Sequence, residues 1–196
     1  MAHHPLPDNI SADEALAKLM AGNRAYVESG ANAGDVSAAA RTRGAVEGQA
    51  PYAVIVACSD SRVIPEVAFN AGLGEIFVIR VAGNVIDDHQ LGSIEYAVEH
   101  LGSRLVVVLG HTHCGAVAAA LGGETDGHIK HITDQIKKAV ADAGREVDER
   151  EASCLNARNA VRIIESSLEI QQEEAQDGLR VLAALFDIES GVVSVL

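Results

Sequence analysis

The fold class predicted by this sequence is α/β: a mostly parallel central β-sheet flanked by helices, with an antiparallel C-terminal edge strand and an extended N-terminal helical arm. Three observations predict it. Residues 53–57 are an unbroken apolar run with no polar alternation, which suits a strand covered on both faces. Residues 76–81 and 105–109 are two more apolar runs. The segments between the runs carry helical spacing, and strands alternating with helices form a parallel sheet.

Ser11-Ala12-Asp13-Glu14 has the Ser-x-x-Glu form of a capping box. Leu16, Leu19, Met20, Tyr26 and Val27 follow at helical spacing, so an amphipathic helix is predicted over about residues 11–29. Residues 30–48, rich in glycine and small side chains, read as a loop and a short helix able to lie across a partner subunit. Residues 1–48 are therefore read as a helical arm and 49–196 as a single α/β domain. Pro65 and Glu66 suit the first turn of a helix ending near Gly72 and Gly74. After a polar loop over 84–88, Leu91, Ile94, Tyr96, Val98 and Leu101 mark the next helix. A small-residue helix over 116–121 is broken by Gly122-Gly123, and two polar helices are expected near 126–142 and 150–176. Residues 181–188 and 192–196, separated by Glu189-Ser190-Gly191, predict the closing hairpin.

With 196 residues the chain can bury one sizeable core. Its formal charge of −13, from 28 acidic and 15 basic residues, would repel a phosphate backbone, so nucleic acid is excluded as a partner. The first residues, Met-Ala-His-His-Pro-Leu-Pro, lack the apolar core of a signal peptide, and no apolar stretch nears the ~20 residues that span a bilayer. No membrane partner and a cytoplasmic location are expected. Three cysteines, two of them inside polar motifs, fit reduced thiolates for metal work better than a disulfide framework.

The apolar run at 53–57 stops at Cys58-Ser59-Asp60-Ser61-Arg62, and the run at 105–109 stops at Gly110-His111-Thr112-His113-Cys114-Gly115. A lone cysteine at a strand end is usually a small core hydrophobe, and His-x-x-Cys alone is a weak signal. Together they say more. Both motifs directly follow apolar strands, so both fall at the carboxyl edge of the sheet, where open α/β sheets bind ligands. Cys58, His111 and Cys114 then offer three ligands to one zinc ion, leaving a fourth position for water or for Asp60, the arrangement of a catalytic site. Arg62 can clasp the Asp60 carboxylate through two parallel hydrogen bonds. Gly83 and Gly115 read as backbone positions needing room or positive φ. His113, between two candidate ligands, could relay protons but is read as simply facing the helix, and Cys154 is read as structural or merely exposed. No glycine-rich phosphate turn follows a strand, which weakens a nucleotide-binding reading.

These paired motifs resemble the double signature of the β-class carbonic anhydrases. The resemblance extends through Gly74-Glu75-Ile76-Phe77-Val78-Ile79-Arg80, Ala82-Gly83-Asn84 and Ile94-Glu95-Tyr96-Ala97-Val98, covering about residues 49–121; Val81 stands where many members have asparagine. It implies one zinc per chain on Cys58, His111 and Cys114, and reversible hydration of carbon dioxide to bicarbonate and a proton. It also implies an Asp60-Arg62 dyad, whose aspartate is the fourth zinc ligand in the closed state of some members. Gln49 matches a glutamine that, in the plant-like subgroup, helps bind substrate from the partner subunit. Phe77, Tyr96 and Gly115 are carried over as substrate-site residues, and a homodimer or dimer of dimers as the assembly.

Zinc lowers the pKa of bound water to near 7, so a zinc-bound hydroxide is available to attack carbon dioxide. The alternatives are hydrolysis of carbon disulfide or carbonyl sulfide at the same site, and a non-catalytic zinc-stabilised binding module.

Overall fold

The computed structural model describes residues 9–123 and 126–196, so the N-terminal heptapeptide considered above lies outside the described residues. Five strands form one sheet: β1 (Ala53–Ala57), β2 (Ile76–Arg80), β3 (Leu105–His111), β4 (Arg180–Phe186) and β5 (Val193–Val195). Their order is β2-β1-β3-β4-β5, parallel from β2 to β4, with β5 antiparallel on β4. The chain leaves β1 to build β2 on one side, then returns across β1 to build β3 on the other. That reversal of strand order opens a crevice beyond the carboxyl ends of β1 and β3.

Eight helices surround the sheet among the described residues: α1 (Ala12–Ser29), α2 (Ala38–Glu47), α3 (Pro65–Ala68), α4 (Asp88–Leu101), α5 (Gly115–Leu121), α6 (Ile129–Ala141), α7 (Glu149–Ile164) and α8 (Leu168–Asp177). Strand side chains alternate between two cores. Ala53, Ile55, Leu105, Val107 and Leu109 pack with Ala15 and Leu19 of α1 and with Ala68 and Phe69 at the end of α3. Val54, Val56, Val106 and Val108 pack with Ile94 and Val98 of α4, Ile164 of α7 and Ile170 of α8. Burying both faces explains why these strands read as continuous apolar runs. Each fully buried Val, Leu or Ile contributes about 1.5–3 kcal/mol.

Local chemistry sets the helix ends. Ser11 and Glu14 form the expected capping box, and Gly30 closes α1 in the left-handed region at φ 65°. Asp87 and Gln90 form a second box that starts α4 ahead of its first apolar residue. The helix at Pro65 is only one turn long, because Asn70 adopts a left-handed φ of 54° well before Gly72. The helix expected over 150–176 is two, since the Ser167 hydroxyl accepts from the Ile170 amide and starts α8 anew. Strand β3 runs two residues past Leu109, because β4 pairs with it as far as Phe186 opposite His111.

α1 packs on the sheet of its own chain. Beyond Ala15 and Leu19, the buried Asn23 donates to the carbonyls of Ala68 and Gly191, both at 2.9 Å, and accepts from the Val193 amide. Arg180 pairs with Asp13, and Lys18 with Glu75 at 2.8 Å. Gly22 is what allows the close approach: a Cβ there would lie 1.9 Å from the Phe69 carbonyl oxygen. Glycine to alanine within an exposed helix stabilises by about 1 kcal/mol. Here the sign is expected to reverse, with Gly22→Ala destabilising by about 1–3 kcal/mol through overpacking, as measured by urea unfolding.

Candidate metal centre

Cys58 lies directly beyond β1, His111 is the last residue of β3, and Cys114 precedes the first turn of α5. The parallel register sets Ala57 beside Leu109, which brings the two loops that follow side by side. Cys58 Sγ, Cys114 Sγ and a ring nitrogen of His111 lie within 4.8 Å of one another, and all three residues are buried. Among the described residues this is the one such group of three. Ligand atoms around tetrahedral zinc are roughly 3.5–4 Å apart, so the three donors need little movement to share an ion.

The donors are prepared for it. His111 Nδ1 is 2.9 Å from the Thr112 carbonyl, which can only accept, so Nδ1 carries the proton and Nε2 keeps its lone pair. Nε2 is buried without a hydrogen-bond partner, a costly state that a bound cation relieves. Cys58 Sγ accepts from the amides of Gly83 at 3.2 Å and Asp60 at 3.4 Å. The Cys114 thiol beside it, with the Gly83 and Asp60 amides, holds Cys58 well below the usual thiol range against the cost of burial. Interaction with Cys58 and burial push Cys114 up, so Cys58 is the sulfur that ionises first and Cys114 the one that holds its proton longer. A divalent cation would take that proton's place.

Asp60 is turned onto Arg62. Arg62 Nε donates to Asp60 Oδ1 at 3.0 Å and Nη2 to Oδ2 at 2.8 Å, while the Arg62 amide also reaches Oδ1 at 2.9 Å. These hydrogen bonds hold Asp60 well below the usual carboxylate range, with burial opposing them. The same guanidinium donates to the His113 carbonyl at 2.9 Å, tying the dyad to the loop between His111 and Cys114. His113 turns that carbonyl with a left-handed φ of 56° and keeps its ring outward, 3.6 Å from Glu189.

Other expected residues lie elsewhere. Gln49 is exposed, and it lines a cleft with Gly74, Tyr96 and His100. Tyr96 is 6.3 Å from Phe77, which pairs in register with Val54 near the start of β1. Gln49 precedes β1 and Cys58 follows it, so the five-residue strand sets them roughly 16 Å apart along the sheet. Within one chain, Gln49, Phe77 and Tyr96 do not join the cysteines. Gly115 has open space around it and no positive φ, so it needs neither of the properties expected of it. Gly83 needs both: its φ is 70°, and a Cβ would lie 3.0 Å from Ala116 and Ile136. Cys154 is half-buried on α7, away from the group.

Arg80 was visible in the sequence as part of a resemblance, but its role was not. It donates to the Cys58 carbonyl at 3.0 Å and to the Asp60 carbonyl at 2.6 Å, clamping the loop that bears both side chains. An arginine at the end of a strand is not by itself a signal, because only the pairing of β1 with β2 brings it to that loop.

This arrangement can be set beside known proteins. A family model for carbonic anhydrase matches residues 53–193. The chain belongs to the carbonic anhydrase family. A carbonic anhydrase 2 of Mycobacterium tuberculosis is 40% identical over 157 residues, 76% of this chain and 75% of that protein. A carbonic anhydrase of Mycolicibacterium smegmatis is 45% identical over 120 residues, 56% of this chain and 58% of its own length. Among solved structures, a tetrameric β-carbonic anhydrase of Sordaria macrospora superposes with a TM-score of 0.71 at 28% identity, covering 81% of this chain and 90% of that one. The fold and the cysteine-histidine-cysteine group place the chain in the β class of that family.

Arg80→Met leaves the Cys58 and Asp60 carbonyls without their shared donor. It is expected to lower stability by about 1–3 kcal/mol, measured by urea unfolding.

Proposed function

We propose that this chain is a zinc enzyme that hydrates carbon dioxide reversibly to bicarbonate, with Cys58, His111 and Cys114 as the protein ligands and Asp60 and Arg62 as the polar dyad of the site. The convergence of two sulfurs and the partnerless His111 Nε2, beside a carboxylate already claimed by an arginine, carries this reading. Two soft sulfurs and one imidazole suit zinc, and a carboxylate held away by Arg62 leaves a fourth position open. Zinc bound there lowers the pKa of a water ligand to near 7 and so supplies a nucleophile at neutral pH.

The chain's own groups do the rest. Carbon dioxide is small and uncharged, so apolar walls suffice to hold it, and Cys58 and Cys114 sit in an apolar cluster with Val85, Val117 and Ile136. Arg62 engages both Asp60 oxygens in hydrogen bonds, so Asp60 would act as a fixed hydrogen-bond acceptor and not as a ligand. The Asp60 side chain is 16% exposed and the Arg62 side chain 51%, so the dyad reaches from the site to solvent, where the product proton leaves. The reading also places the chain in the cytoplasm, where its three cysteines stay free; no helix among the described residues is long and apolar enough to cross a membrane.

Gln49, Phe77 and Tyr96 enter through assembly. They cluster at the amino end of the sheet, far from their own chain's cysteines, so they serve a metal centre only when a second copy presents them. A homodimer, alone or paired into a tetramer, supplies that geometry.

Metal analysis with a stopped-flow carbon dioxide hydration assay tests the core of the proposal. The parent is expected to hold about one zinc per chain, and alanine at Cys58, His111 or Cys114 to lose zinc and activity together. Asp60→Asn is expected to keep its zinc and hydrate slowly; loss of zinc from it would make Asp60 an obligatory ligand. Full zinc occupancy in all three alanine variants would sink the ligand assignment.

Hybrid oligomers test the assembly. Cys58→Ala lacks a metal ligand and Gln49→Ala lacks the residue proposed to act across the interface, so each alone is expected to be slow. Mixed and reassembled, the Gln49→Ala chain keeps its own metal and gains an intact Gln49 from the other. Recovered hydration is the expected result, and no recovery would show that Gln49 acts within its own chain or not at all.

A further inference from the structure

α7 supplies none of the metal ligands, yet it packs against the strand end that carries His111 and against the turn whose amide reaches Cys58. Its inner face is built from small residues, so it lies close against β3 and β4. A Cβ at Gly110 would lie 3.2 Å from the Ser153 carbonyl and 3.4 Å from Ala157, which puts the helix against the backbone just before His111. One turn on from Ser153 stands Asn156, 2% exposed. Its side-chain amide donates from Nδ2 to the Gly83 carbonyl at 2.7 Å, and Gly83 in turn donates its own amide to Cys58 Sγ at 3.2 Å. Asparagine is a poor helix former, and a buried amide is costly unless it is bonded. Asn156 is therefore best explained by what it holds.

What it holds is a turn. The Asn84 amide closes on the Val81 carbonyl at 3.0 Å, and Gly83, at the third position, has φ 70° and ψ 13°, the signature of a type II turn. Two peptide units meet at Gly83. The one before it carries the N–H that reaches Cys58, and the one after it carries the carbonyl held by Asn156. Glycine has no Cβ to restrict rotation between them, so their relative orientation depends on outside anchors. We infer that Asn156 is a positioning residue for the metal centre: by fixing the Gly83 carbonyl it aims the Gly83 amide at the Cys58 sulfur, and so sets the orientation and electron density of that ligand. The inference rests on the zinc reading above, and groups that orient a metal ligand in this way typically change metal affinity by 10–100-fold.

The test uses the zinc-loaded full-length chain and an excess of a chromogenic chelator, with the rate of zinc release as the readout. Asn156→Ala removes the amide, and Asn156→Asp keeps its shape while removing the donor. Ser153→Ala is the control: Ser153 is also 2% exposed on the same face of α7, and its hydroxyl has no hydrogen-bond partner, so the change disturbs the helix without touching Gly83. Both Asn156 variants are expected to release zinc at least about tenfold faster than the parent, and Ser153→Ala within about twofold of it. In cobalt-substituted protein, the sulfur-to-metal charge-transfer band should shift in the Asn156 variants and stay put in Ser153→Ala. Should Asn156→Ala fail to fold, the near-isosteric Asn156→Asp decides. Release at the parent's rate with an unchanged cobalt spectrum, or equal acceleration by Ser153→Ala, would overturn the inference while leaving the zinc reading intact. A parent chain that binds no zinc would overturn both.

Discussion

The parallel register that sets Ala57 beside Leu109 is the constraint on which the rest of this structure depends. It places Cys58 level with Gly110 and His111, and it does so at the point where the strand order reverses, so no crossover helix covers the opening between β1 and β3. A slip of one residue in either strand would exchange its two faces between the cores and move Cys58 away from His111. The apolar surfaces that resist such a slip are therefore also what hold the metal site together. Core packing and site geometry are one problem here.

Around that opening the chain spends backbone groups and polar side chains on holding loops still. Arg80 clamps two carbonyls, Arg62 joins Asp60 to the His113 carbonyl, and Gly83 presents its amide to a sulfur. Each contact crosses from one strand end to another, and none lies within a single motif except the Asp60-Arg62 pair. The apolar cluster of Val85, Val117 and Ile136 around the cysteines lowers the local dielectric, which strengthens these polar contacts and makes any unpaired group costly. His111 Nε2 is left unpaired within that surround, a state that a bound metal ion would relieve.

Much of the fold could be read from pattern, and the misreadings share a cause. The strands were legible because burial on both faces leaves a continuous apolar run, and α1 because its capping box and apolar spacing are local. The region over 150–176 was misread as one helix because its polar residues hide both the break at Ser167 and the inner face of α7. Asn156 gave no signal for the same reason: an asparagine in a polar segment looks like solvent-facing surface until the helix is laid against Gly83. Within the expected N-terminal arm, Ala15, Leu19 and Asn23 are buried against their own sheet, and the close fit at Gly22 shows only when Phe69 is seen beside it.

By itself the sequence determined the chemistry available and which strand ends would deliver it: two thiols, an imidazole and an aspartate-arginine pair, each just beyond an apolar run. Residue type and local periodicity are enough for that, because both act over a few neighbouring positions. Only the tertiary structure decided that the two motifs meet, which way Asp60 turns, and that Gln49, Phe77 and Tyr96 sit at the far end of the sheet from the cysteines. Those outcomes depend on strand order and register, which are set by side chains far apart in the chain packing against one another.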